Sequence, residues 1–183
     1  MMFFRRFFAN APENRVAREV YSLIVAKARQ PHFYVGLGVP DTLDGRFDMI
    51  ALHAILVTDR LAKGSAEARY LSQKVFDEMF ADMDRSLREM GVGDLSVGKK
   101  VRRMAEVFYG RAKAYRDALS RGDLPALEQA LARNIFPEGS KAQGVSALAA
   151  YVSAAALMLA SLSDAQLAAG EISFPEPESF ATS

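Results

Sequence analysis

Apolar residues recur every three or four positions along most of the chain, the period of helices that bury one face and wet the other. Val16, Val20, Leu23, Ile24 and Ala28 make the first such stripe, over 13–29, and Pro31 closes it because it lacks the N–H that another turn would need. Residues 31–45, PHFYVGLGVPDTLDG, mix aromatics with glycine and proline and predict an ordered loop packed on the domain. Phe47, Ile50, Ala51, Ala54, Val57 and Leu61 carry a second helix, with Asp44 as its cap and Gly64 as its stop.

A third helix, over 65–90, has a stripe rich in methionine and phenylalanine (Val75, Phe76, Met79, Phe80, Met83, Leu87, Met90) and stops at Gly91. Such a stripe is ordinary core, or a surface that accepts varied apolar partners through the flexible thioethers of Met79 and Met83. The fourth helix, 97–120, puts Val101, Met104, Phe108, Ala112, Tyr115 and Leu119 on one side and Lys99, Arg102, Arg103 and Lys113 mostly on another. Asp123 caps a short helix that carries Pro125 in its first turn and ends at Pro137 and Gly139.

Between Lys141 and Asp164 no residue is charged, and the stretch is long enough to cross a bilayer. It is dominated by alanine, contains several serines and lacks flanking Lys/Arg clusters, so it predicts a central buried helix instead. Pro175 and Pro177 mark a flexible tail over 171–183. The expectation is an all-α, single-domain bundle of about six to seven helices, with an amphipathic segment at 1–12, the helical domain at 13–170 and the tail after it.

Composition narrows the chemistry. With no cysteine and two histidines among 183 residues, disulfides, thiolate sites and ordinary zinc or di-iron centres are excluded. The net charge is +1, but all Lys and Arg except Arg133 and Lys141 precede Gly122. Between Leu95 and Arg121, Lys99, Lys100, Arg102, Arg103, Arg111, Lys113, Arg116 and Arg121 face only Glu106 and Asp117. That helix is a solvated face, or a surface for ribosomal RNA or anionic lipid, where Tyr109 would add stacking or interfacial anchoring. The opening MMFFRRFFA lacks the apolar run of a secretory signal. As a helix it sets Phe3, Phe4, Phe7 and Phe8 against Arg5 and Arg6, the pattern of an interfacial anchor; the alternative is that the rings fold back on the domain.

Three catalytic look-alikes fail on their surroundings. GDLSVGK at 93–99 has phosphate-loop spacing, but Lys100 replaces the Ser or Thr that binds magnesium and no strand precedes it. Asp77, Glu78, Asp82 and Asp84 have the helical spacing of a magnesium site for a prenyl diphosphate, which keeps an all-helical lipid- or isoprenoid-binding protein or magnesium-dependent prenyl enzyme as the alternative function. Asp41, Asp44 and Asp48, the second acidic cluster, are explained by turns and capping. His53 reads as a hydrogen-bonded helix residue rather than a base.

Several long segments in order, YSLIVAKARQPHFY, GVPDTLDGRFDMIALH and FDEMFADMDRSLREMGVGDLSVGKKVRRMAEVFYGRAKAY, resemble the ubiquinol-cytochrome c chaperone family, in its alphaproteobacterial form. The resemblance spans Tyr21 to Tyr115. It implies a non-enzymatic assembly chaperone of the cytochrome bc1 complex with no cofactor, no metal and no DNA. The implied client is newly made cytochrome b or another bc1 subunit, met near the ribosomal exit, together with a small protein partner. Its expected place is the cytoplasm, peripheral to the inner membrane. The residues that carry the motif and stand as client candidates are Phe33, Tyr34, Asp44, Arg46, Asp48, His53, Tyr109 and Arg111, joined by Met79 and Met83 from the methionine stripe. Membrane or ribosome contact falls to Phe3, Phe4, Arg5, Arg6, Phe7, Phe8, Lys99, Lys100, Arg102 and Arg103.

Overall fold

The computed structural model describes residues 12–136 and 142–180. Among them are eight α-helices and a closing 3-10 turn, with no strand: α1 (Pro12–Ala28), α2 (Pro31–Val35), α3 (Leu43–Ala62), α4 (Ala66–Glu89), α5 (Asp94–Arg121), α6 (Leu124–Ile135), α7 (Ala142–Ala160), α8 (Asp164–Ala169) and the turn Pro177–Phe180. The six long helices lie where the sequence pattern puts them, five from hydrophobic periodicity and α7 from its charge-free run, in an all-α single domain. The extra elements are short: α2 occupies part of the expected loop, started by Pro31 at its first position, and α8 is set by a complete capping box between Ser163 and Gln166. The expected stops at Pro137 and Gly139 lie outside the described residues.

The central element is α3. It touches α1, α4, α5, α6 and α7, and Met49 through Val57 are buried without a break, so every side of the helix is covered. Its charges sit at its two ends, where they reach solvent or partners. The cap differs from expectation: Thr42, not Asp44, accepts from the Gly45 N–H at 3.1 Å. A cap side chain must precede the first turn to reach its free N–H groups, and Asp44 lies inside that turn, where its carboxylate instead favours the helix dipole.

Two expectations fail for the same reason, that burial was judged from local composition. The charge-free stretch between Lys141 and Asp164 is not buried all round: α7 buries Ala147, Leu148, Ala149, Tyr151, Val152, Ala155 and Leu159 but leaves Ala150, Leu157 and Met158 exposed. Alanine loses little by staying wet, so a long alanine-rich run does not require burial all round. Residues 171–180, expected as a flexible tail, form a strap on the core, with Ile172 and Pro177 buried. Phe174 packs on His53 and Phe180 on Tyr151, while Lys27 donates to the Pro175 carbonyl at 3.3 Å and pairs with Glu176 at 3.1 Å. The two prolines lower the entropy lost on ordering such a strap.

Two glycines fix the segment between α2 and α3. A Cβ on Gly45 would lie 2.0 Å from the Pro40 carbonyl oxygen, and one on Gly144 would lie 2.1 Å from that of Leu37. Backbone oxygens cannot swing aside as side chains can, so α7 approaches this segment only because position 144 has no side chain. Gly144→Ala should lower stability by about 2–3 kcal/mol, read as a drop of several degrees in melting temperature, whereas Gly98→Ala, where a Cβ meets nothing within 4 Å, should not lower it.

Candidate functional site

Most of the residues singled out as client contacts prove to be structural. Phe33 and His53 are fully buried. The Phe33 ring stands edge-on to His53 and Tyr151 at centroid distances of 5.4 and 4.9 Å. Tyr34 is half-buried, and its hydroxyl donates to the Ala28 carbonyl at 2.7 Å, tying α2 to the end of α1. Met79 and Met83 face the core from α4. Phe33, His53, Met79 and Met83 therefore have no surface to offer a client, a correction that follows from their facing α3 or the neighbouring helices rather than solvent.

His53 is held from both sides of its ring. Nδ1 lies 2.8 Å from the Met49 carbonyl, which can only accept, so Nδ1 carries the proton. Nε2, 2.8 Å from the Tyr151 hydroxyl, accepts from it. Burial pushes the imidazole pKa down to about 4, from 6.5, and burial also raises the Tyr151 phenol. Both groups are neutral at any ordinary pH.

The charged triplet at the start of α3 divides. Arg46 pairs with Asp41 at 2.6 Å on the surface, and Asp44 is exposed. Asp48 pairs with Arg111 of α5, with side chains only 12% and 16% exposed, and the other Arg111 branch donates to the Asn134 carbonyl at the end of α6 at 3.2 Å. Arg111 thus joins α3, α5 and α6. Asp82 accepts from the Tyr21 hydroxyl and pairs with Arg85 at 2.8 Å. Asp84 pairs with Arg88, which also reaches Asp94. Asp77 accepts from Gln73. No group of acids and histidines among the described residues is placed to hold a metal ion, and Asp77, Asp82 and Asp84 each have a partner within the domain. The phosphate-loop look-alike at 93–99 is mostly the first turns of α5, a geometry without the loop that would wrap a phosphate.

Two surfaces remain. The first, which the sequence pattern did not single out, is a groove of about 700 Å³ between α3, α5 and α7. Ile55, Leu56, Ala118, Leu119, Ala156 and Leu157 form much of its apolar wall, and Leu157 is 73% exposed. Its charged rim is satisfied from within. Asp59 is shared by Lys63 and Arg116, and Arg60 donates to the Leu159 and Leu162 carbonyls at 3.2 and 2.7 Å, closing the end of α7. The available signal was the row of small residues Ala150, Ser153, Ala156 and Ala160 at helical spacing, which keeps the wall low.

The second surface is the outer face of α5. Lys99, Lys100, Arg102 and Arg103 are all exposed and form no ion pair among the described residues. Tyr109 is 60% exposed, with its ring 5.6 Å from Phe76. Phe3, Phe4, Arg5, Arg6, Phe7 and Phe8 lie outside the described residues. No described helix is long and apolar enough to cross a membrane.

Comparison with known proteins assigns this architecture. The profile of the ubiquinol-cytochrome C chaperone family matches residues 36–174. The chain belongs to that family. The match reaches past the 21–115 span of the sequence resemblance to include α6, α7 and the strap as far as Phe174. A Xenopus laevis relative, ubiquinol-cytochrome-c reductase complex assembly factor 1, is 24% identical over 120 residues, 66% of this chain and 60% of its own length. The chain thus spans about three fifths of that relative. The crystal structure of the Cbp3 homolog from Brucella abortus superposes with a TM-score of 0.85 at 40% identity, covering 97% of this chain and 98% of that one. Membership places the protein in a chaperone family.

Two measurements check the structural roles given to family residues. His53 has a folded pKa below its unfolded one, so the unfolded chain binds the extra proton between pH 6.5 and about 4. Stability should be unaffected by this group above pH 6.5 and fall by about 3 kcal/mol by pH 4; His53→Gln should flatten that part of a stability–pH curve. Burial raises the Asp48 carboxyl while Arg111 pulls the other way, so the pair matters chiefly through what its loss strands. Arg111→Met alone should destabilise by about 2–3 kcal/mol, and Asp48→Leu with Arg111→Met should recover most of it in urea titrations. The remainder is the uncapped Asn134 carbonyl.

Proposed function

We propose that this chaperone serves the cytochrome bc1 complex by holding a newly made, hydrophobic subunit, cytochrome b, in the groove between α3, α5 and α7 until its assembly partners arrive. The observation that carries this is the groove itself. It has an apolar wall with a largely exposed leucine, and its rim charges are already paired within the domain. An occupant there gains by burying apolar surface and needs no charge of its own, which describes a transmembrane segment waiting to be packed. The name of the Xenopus laevis relative supports the choice of complex. The same proposal puts the protein on the cytoplasmic side of the inner membrane, close to the ribosomal exit where such a subunit first appears. A small protein partner would be recovered in the same pull-down.

A photo-crosslinking residue at position 157 tests it, with one at Gln129, exposed on α6, as the control. Cytochrome b should be captured from position 157 and not from 129. Leu157→Glu should reduce capture from a crosslinker at 156 by about tenfold, since a leucine's burial is worth about 1.5–3 kcal/mol, with no change in melting temperature. Equal capture from both positions, or none from 157 in cells that assemble the complex, would reject the groove as the client site.

A further inference from the structure

We propose that the outer face of the first half of α5 is a docking surface for an anionic lipid bilayer, with Leu95 as an apolar wedge and Lys99, Arg102 and Arg103 as its headgroup contacts. This surface is separate from the client groove, and neither proposal depends on the other. Leu95 is 94% exposed in the first turn of α5. At 100° per residue, Lys99 and Arg102 fall within about 40° of it around the helix and Arg103 within about 80°. Leu95, Gly98, Lys99, Arg102, Arg103 and Glu106 together line a shallow open depression. Lys100 points roughly 100° away from Lys99 and is not part of the surface. Farther along the same face stands the exposed Tyr109, a side chain suited to the headgroup level.

The charge state of the neighbours matters as much as the cations. Asp94, the acid beside Leu95, is engaged by Arg88, which also holds Asp84. Glu106 is the carboxylate left within the depression, and it faces three cations on its own helix. Lys113 and Arg116, farther along α5, are taken by Asp117 and Asp59. One long helix therefore carries cations of two kinds: those in its second half are tied to partners, and those in its first half await an anion.

Phosphate groups of RNA and of lipid would both attract such a face. The apolar groups decide between them. A leucine nearly free of contact, followed by an exposed tyrosine and preceded by the exposed Met90 at the end of α4, gains by entering an acyl-chain boundary and gains nothing from a phosphate backbone. Gly98, about 60° round the helix from Leu95 and one turn before Arg102, has nothing within 4 Å of where a Cβ would stand, so the depression is open for a headgroup to settle beside Leu95 and Arg102.

The test is co-sedimentation of the full chain with phosphatidylcholine vesicles, with and without phosphatidylglycerol. It is run also in a background where Phe3, Phe4, Phe7 and Phe8 are changed to Ser, so that α5 is measured alone. Binding should require phosphatidylglycerol and fall with added salt. Leu95→Ser should weaken it by about tenfold. Lys99→Gln, Arg102→Gln and Arg103→Gln together should weaken it by about 100-fold. Melting temperatures should be unchanged, because all four side chains are exposed. Binding that persists in either variant, or equal binding to neutral vesicles, would overturn the proposal. So would a chain that prefers RNA to vesicles with Leu95→Ser silent, an outcome that would assign the cations to nucleic acid.

Discussion

The bundle is organised around one buried polar contact, the hydrogen bond between the His53 ring and the Tyr151 hydroxyl. A helix enclosed on all sides, as α3 is, has nowhere to send a polar side chain, and an imidazole without a partner there would be strongly destabilising. Its Nδ1 is satisfied within α3 by Met49, so Nε2 must be met from another element. Tyr151 meets it, and this fixes the rotation of α7 about its own axis. Leu157, six residues on, then points about 120° away from the Tyr151 direction, which is why an apolar helix next to the core still has a bare side. Phe33 and Phe174 close over the same pair, so α2 and the C-terminal strap are placed by it as well.

That dependence explains what could be read in the residues and what could not. Helical periodicity located five of the six long helices, because each has a stripe that must be buried and a stop or cap at its end; the sixth, α7, is marked by its lack of charge. Periodicity does not say how many sides of a helix are covered. α3 and α7 show the failure: the first has charges at both ends and a histidine inside yet is enclosed, and the second has no charge for more than twenty residues yet is half bare. What distinguishes them is contact with five other helices against fewer, a property of the whole assembly. The strap was misjudged for a related reason. Its two prolines suggest mobility by composition, but Ile172, Phe174, Pro177 and Phe180 are apolar groups placed to find a core nearby.

The family residues illustrate the difference between recognising a protein and recognising its working surface. Among the residues that carry the resemblance, Phe33 and His53 are fully buried, and Asp48 and Arg111 form a partly buried pair that ties helices together. The resemblance is thus legible in side chains that are packed inside the domain. The groove has no distinctive sequence pattern because the α7 side of its wall is mostly alanine and serine, and its larger apolar residues come from separate helices. The outer face of α5 was visible in the charge distribution, but its division into paired and unpaired cations was not. Only the positions of Asp48, Asp59, Asp117 and Asn134 separate Arg111, Lys113 and Arg116 from Lys99, Arg102 and Arg103.

A groove walled by small residues also bears on how a chaperone lets go. Each methylene taken out of water adds about 0.8 kcal/mol to holding, so a wall of leucine or phenylalanine would retain an apolar segment too firmly for its own assembly partners to remove it. Alanine at 150, 156 and 160 keeps the α7 side of the contact shallow, and Leu157 is its most exposed apolar side chain. On the proposed function, release needs only a competitor that buries more of the same segment, such as the next subunit packing against it. The paired rim serves the same end. Because Asp59, Arg60 and Arg116 are satisfied within the domain, a departing segment strands no charge, and the empty groove costs little to restore.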